Sequence, residues 1–372
     1  MKIKPKNLIL FVIVFVALFL KYFSMWNYLF VGKFETSTII MTLFILVSFI
    51  SILSYKIRKK DFKKVICLLI MGGIIVFINP KFDFLFAIIF AIIFSVEENG
   101  DEKFIKYYFI NSLLLFICTI LLYLIGILPS NNSARVMADG IVTRYSFGFA
   151  GINILFLCLI PIFASFMIYK KDYVLAKKLK VSFIIFLISL FFYKITLCRT
   201  GFLIAIILAI LNLITNKISS NKYEKYIKYS YFILTIISIF FAIEYLQFGK
   251  LNEILSNRLF FWNKYVTTYN IGLFDKSIIT GFPLDNVYLT HLYIDGIIIF
   301  TLYIIINFSV AKKISKNKMI SLVFILFSLY GIFENNYSYQ YNFILILEMI
   351  YFIDIDKSQK LLKNDQNLAE SQ

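Results

Sequence analysis

Residues 181–216 read VSFIIFLISLFFYKITLCRTGFLIAIILAILNLITN. Two apolar runs, 181–197 and 200–216, meet at Cys198-Arg199-Thr200-Gly201. Each is close to the length of about 20 residues that crosses a bilayer, and slightly short spans are tolerated when flanking residues snorkel. Neither run alternates polar and apolar residues, so neither has the half-buried pattern of a surface helix in a soluble protein. The pair reads as a transmembrane hairpin with an arginine at its bend.

The same signal recurs along the chain. Twelve windows qualify: 8–24, 37–55, 65–79, 82–96, 107–128, 151–169, 181–197, 200–216, 229–246, 288–309, 319–334 and 341–354. The third and fourth are short and are joined by Asn79-Pro80-Lys81, which suits a re-entrant hairpin or a broken pair. The first run, Leu8 to Phe23, follows Lys2, Lys4 and Lys6 but lacks a small-x-small cleavage site, so it reads as a retained helix. Of the 372 residues 60% are hydrophobic and 16% charged, against about 25% charged in soluble domains. The expected fold is therefore all-α: one polytopic membrane domain over 1–356 with about 12 transmembrane helices, then a disordered cytoplasmic tail over 357–372.

The formal charge of +17 orients the chain. Alternate loops gather 27 of the 38 Lys and Arg residues on one face, which the positive-inside rule makes cytoplasmic. Both termini fall on that face. The excess charge thus calls for no nucleic-acid partner. Two long loops fall outside, at about 129–150 and 247–287, and long ordered loops are often functional. In the second, Leu251, Ile254, Leu255, Leu259 and Trp262 follow helical spacing, which predicts an interfacial amphipathic helix.

Metal and disulfide chemistry have little support. Cys67, Cys118, Cys158 and Cys198 each sit in an apolar run, and His291 is the single histidine. No metal and no cofactor are expected. Arginine use is more informative. Only five of the 38 cations are arginine, and four of them (Arg135, Arg144, Arg199 and Arg258) fall on the lysine-poor outer face. A guanidinium grips phosphate or carboxylate with a planar fork and stays charged. Other polar residues gather at the same level: Lys194, Asp285, Asn286, His291, Asp295 and Glu334. Ionisable groups at membrane depth mark function by default, although His291 alone is better explained by helix packing. Glu348, toward the cytoplasm, reads as structural.

Three stretches resemble a known family. Arg144-Tyr-Ser-Phe-Gly-Phe149, with Asn153 following, resembles the Arg-x-Ser-x-Gly-Phe-x-His-Pro-Asn signature of Wzy-type polysaccharide repeat-unit polymerases. Arg199-Thr200-Gly201 resembles the Ser-Arg-x-Gly element of the polymerase and O-antigen ligase superfamily. Ser256-Asn-Arg258-Leu259 with Trp262, then Asp285-Asn286-x-Tyr288-Leu289 with Gly296, resembles that superfamily's late outer loop and return helix. The likeness covers roughly residues 130–300. The chain departs from the pattern at Gly151 and Ile152, where many relatives have His-Pro, and at Asp285, where the ligases carry a histidine.

The resemblance implies an enzyme of the bacterial cytoplasmic membrane. It would polymerise undecaprenyl-diphosphate-linked oligosaccharide units into capsular polysaccharide, exopolysaccharide or O-antigen on the outer face. Its expected partners are those lipid-linked glycans, the bilayer, and flippase and chain-length regulator proteins. Arg199 and Arg258 would stabilise the leaving diphosphate, with Arg135 and Arg144 gripping phosphate. Asp285 is the first choice for the base, then Glu334, then His291. Lys194, Asn286, Tyr288 and Trp262 complete the expected binding set. A ligase that transfers finished glycan, and a flippase or transporter of lipid-linked oligosaccharide, are the alternatives. The absence of two related halves counts against the last.

Overall fold

The structure, a computed structural model, describes residues 5–29, 66, 69–70, 83–95, 97, 99–137, 140–215, 223–273, 284–334 and 343–353. The chain is mostly helical. The helices are α1 (Pro5–Leu29), α2 (Asp83–Ser95), α3 (Gly100–Leu124), α4 (Ile152–Tyr169), α5 (Leu175–Thr196), α6 (Arg199–Ile214) and α7 (Tyr223–Ile243). There follow α8 (Gly249–Ile254), α9 (Arg258–Thr268), the single turn α10 (Val287–Leu289), α11 (Ile297–Ile314), α12 (Lys318–Phe333) and α13 (Phe343–Ile353). Five of these, α3, α4, α5, α7 and α11, are long and apolar enough to cross a membrane. Shorter apolar helix covers Asn7–Phe23, Arg199–Ile214, Lys318–Phe333 and Phe343–Ile353. The expected span 37–55, most of 65–79, and the tail 357–372 lie outside the described residues.

Burial separates protein-facing from lipid-facing helices. In α4, 78% of the apolar window is buried, because α3, α5, α6 and α12 all pack on it. In α5 only 28% is buried. Its exposed residues Phe183, Ile184, Leu187, Ile188 and Phe191 recur at helical spacing and form one apolar face. In water such a face would cost about 25 cal/mol per Å² of apolar area, so lipid is its solvent.

The polar contacts define two ends of the bundle. At one end Lys171 meets Glu102 at 3.1 Å and the Tyr351 hydroxyl donates to Asp101 at 3.0 Å, joining the start of α3 to the ends of α4 and α13. At the other end lie the start of α4, the α5–α6 bend, the start of α9 and the end of α12, which Glu334 ties together.

Three local features differ from the sequence expectation. The 129–150 segment is not simple loop: β1 (Ser133–Met137) and β2 (Gly140–Arg144) pair antiparallel, with Ser133 opposite Arg144 and Arg135 opposite Val142. The β-branched Val136, Ile141, Val142 and Thr143 favour that ladder. The single amphipathic helix expected over 251–262 is two, α8 and α9. Ser256 and Asn257 both adopt left-handed backbone (φ 57° and 62°) and break the ladder there. Asn252 holds the break, its Oδ1 accepting from the Phe260 N–H at 3.2 Å. Finally, the window 288–309 is discontinuous. The α10 turn runs into a π-helical turn at Thr290–Ile294, Gly296 turns with φ 91°, and α11 starts afresh. The first N–H groups of α11 are met by outside carbonyls, Ile297 donating to Gly272 at 2.9 Å.

Candidate functional site

The α5–α6 bend depends on two unusual positions. Leu197 takes left-handed backbone (φ 52°) and ends α5, its N–H donating to the Tyr193 carbonyl at 2.7 Å. Two residues after Arg199, Gly201 lies against Phe156 of α4. A Cβ there would stand 2.3 Å from the Phe156 ring carbon Cγ, so only glycine permits this approach. The close packing carries Arg199 and Thr200 to the start of α4, where Asn153 sits.

The hairpin is fastened to this bend. Arg144 donates from Nε to the Thr196 carbonyl at 2.7 Å. Just beyond it, Ser146 is buried. Its hydroxyl accepts from the Asn131 N–H at 2.9 Å, and its own N–H donates to Asn132 Oδ1 at 3.2 Å. Phe147 and Gly148 both have positive φ (51° and 77°), which turns the chain into α4.

Arg258 opens α9 directly after the left-handed pair. Its Nη2 donates to Glu334 Oε1 at 2.7 Å and stands 3.5 Å from Asp285 Oδ2, while Nη1 donates to the Phe333 carbonyl. The same Glu334 oxygen accepts from the Thr200 hydroxyl at 2.9 Å and from Asn153 Nδ2 at 3.3 Å. One carboxylate oxygen therefore links α4, α6 and α9 to the end of α12. Burial opposes the Arg258 charge, but Glu334 and then Asp285 outweigh it and hold its pKa above the ordinary value. Burial raises the Asp285 pKa, and Arg258 opposes that rise.

These groups enclose a cavity of about 300 Å³. Arg144, Arg199, Arg258, Asp285, Asn153 and Thr200 supply its polar wall, and Ala134, Leu197, Cys198, Leu255, Ser256 and Phe261 complete it. Among the described residues three guanidiniums face two carboxylates here, counting Glu334 behind the wall, a formal surplus of one positive charge. Such a cavity suits an anion carrying a polar substituent. Among the described residues no group of three or more His, Cys, Asp and Glu is placed to hold a metal.

Of the expected site residues, Arg144, Arg199, Arg258 and Asp285 come together in the cavity, and Glu334 backs it. Arg135 is in β1, next to Ala134 of the cavity wall. Lys194, Asn286, Tyr288, Trp262 and His291 lie elsewhere. Lys194 is exposed on the last turn of α5. Asn286 is buried as the N-cap of α10, accepting from the Leu289 N–H and donating to Ser238 and the Ile332 carbonyl, each at 3.0 Å. Tyr288 is buried and donates to the Ser328 carbonyl at 2.6 Å. Trp262 is 1% exposed and packs in the core of α9. His291 is buried between Tyr231, whose hydroxyl meets its Nδ1, and the Tyr303 ring, stacked at 4.1 Å. Its Nε2 lies 3.8 Å from Asp295.

Asn153 and Thr200 were not singled out for a role from the sequence. Their signal was position: each lies in a motif stretch, next to an arginine or at a helix start. The chain matches no family model, and no curated protein or solved structure matches it either.

Proposed function

We propose that the chain is a membrane glycosyltransferase that polymerises undecaprenyl-diphosphate-linked repeat units at the outer end of the bundle. The observation that carries the reading is convergence. Arg144, Arg199, Arg258 and Asp285 come from three separate motif-like stretches, and all four line one cavity.

The reaction needs a hydroxyl of one lipid-linked unit to attack the anomeric carbon of another chain. The hydroxyl oxygen supplies the electron pair of the new C–O bond. The bond from the anomeric carbon to the diphosphate breaks, and its pair leaves on the diphosphate. Asp285 takes the hydroxyl proton as general base. Arg144, Arg199 and Arg258 stabilise the charge that grows on the departing diphosphate, and one well-placed donor at such a point contributes about 10²–10³ in rate. Glu334 serves as anchor rather than base, because its Oε1 is committed to Thr200, Asn153 and Arg258 and does not line the cavity.

Gene deletion followed by surface-glycan analysis tests the reading. A polymerase predicts loss of long chains while single lipid-linked units still reach the outer leaflet. Units trapped on the cytoplasmic leaflet would identify a flippase, and unattached long chains a ligase.

A further inference from the structure

The two carboxylates that meet Arg258 are not equivalent. Glu334 is 2.7 Å away, its side chain is 3% exposed, and two further donors fix the same oxygen. Asp285 is 3.5 Å away and its side chain is 35% exposed. That distance is an ion pair, beyond the span of an ordinary charged hydrogen bond. The looser partner is also the one that lines the cavity. Behind, Nη1 and Nη2 are tied to the Phe333 carbonyl and Glu334; a guanidinium has five N–H donors, so others remain to serve a ligand in front.

Resting on the proposed function, we infer that Asp285 is an internal stand-in for the substrate's diphosphate on Arg258, and that an incoming diphosphate displaces it. Anion binding then does two things at once. Arg258 gains a multiply charged partner while keeping its anchor to Glu334. Asp285 loses its cation and comes to face the negative charge of the diphosphate. Both changes favour its protonated form and so strengthen it as a base when the acceptor hydroxyl arrives. In the resting site the base is masked by the arginine; with donor bound it is released. The order of events follows: the diphosphate-linked donor binds first, and the hydroxyl is activated afterwards.

The test is binding of undecaprenyl diphosphate to the full chain in detergent micelles, for the wild type, Asp285→Asn and Glu334→Gln. Asp285→Asn removes the competing charge and should bind about tenfold tighter, the effect of one nearby like charge at a largely buried site. Wild-type affinity should gain on Asp285→Asn as the pH falls through the titration of Asp285, and the two should converge when it is protonated. Glu334→Gln keeps an oxygen acceptor for Arg258 and leaves Asp285 in place, so its affinity should still rise as Asp285 is protonated, a rise that Asp285→Asn should not show. If the wild type binds but Asp285→Asn binds equally or more weakly, the displacement is wrong and the proposed function stands. If neither binds the lipid diphosphate while both unfold cooperatively at or above the wild-type thermal midpoint, the proposed function falls and the displacement with it. Should Asp285→Asn not fold, Asp285→Ser replaces it with the same expected tightening.

Discussion

Arg258 and Glu334 are 76 residues apart in sequence and 2.7 Å apart in the fold. This pair closes the cavity from behind, since it joins the first residue of α9 to the end of α12. Removing one partner of a buried pair leaves an uncompensated charge and costs about 3–5 kcal/mol. Glu334→Ala should fall near the lower end, about 3 kcal/mol, because Asp285 remains beside the arginine. Thermal unfolding in detergent should show a midpoint lower by several degrees. Adding Arg258→Met should recover part of the loss, and no recovery would mean that the two residues do not act as a pair.

Gly201 holds Thr200 and Arg199 in place by letting α6 touch α4. A Cβ there would overlap Phe156, and overpacking of this kind costs about 1–3 kcal/mol. Gly201→Ala should therefore lower the thermal midpoint and shorten the polymer. If Gly201→Ala leaves stability and product untouched, the close approach of the two helices is not needed.

Lysine in place of arginine keeps the charge and loses the planar fork. Arg199→Lys and Arg258→Lys should each reduce polymerisation by about 10²–10³ at normal protein levels. Immunoblotting of membranes alongside gel analysis of the glycan separates lost activity from lost protein. Full chain length in both variants would remove the guanidinium argument.

Burial raises the Asp285 pKa, so its ionised form is disfavoured in the folded chain. The sign follows by linkage: stability is greatest below the ordinary carboxylate value and declines as the pH rises toward the raised folded value. Asp285→Asn should reduce that decline and unfold at a higher temperature than wild type near neutral pH. The same substitution should abolish polymerisation. Wild-type activity should rise with pH through an apparent midpoint above about 4, one that belongs to the Asp285–Glu334–Arg258 group as a whole. A pH-independent rate, or product from Asp285→Asn, would take the base role away from Asp285.

The helices were legible in the sequence, because an apolar run of membrane length has few other uses. The arginines were legible too, since lysine serves elsewhere in this chain. What could not be read was pairing. Nothing in the sequence says that Glu334 rather than Asp285 would anchor Arg258, because that depends on the end of α12 meeting the starts of α4, α6 and α9. Asn286 and Tyr288 looked like binding residues from their place beside Asp285, yet both spend their polar atoms on buried backbone and side-chain partners. His291 sits six residues beyond Asp285, past the α10 turn, and lies in a tyrosine-lined pocket of the bundle. The β1–β2 hairpin was missed for a different reason: ten residues of mixed polarity carry a weak strand signal beside long apolar helices.

The most direct test uses the purified chain and a single lipid-linked substrate. Undecaprenyl-diphosphate-linked repeat units, supplied without nucleotide sugar, should give a ladder of products one unit apart. One undecaprenyl diphosphate should be released for each bond formed, and Asp285→Asn should give neither. Units recovered unchanged from active, folded protein, or a ladder that appears only when nucleotide sugar is added, would contradict the account.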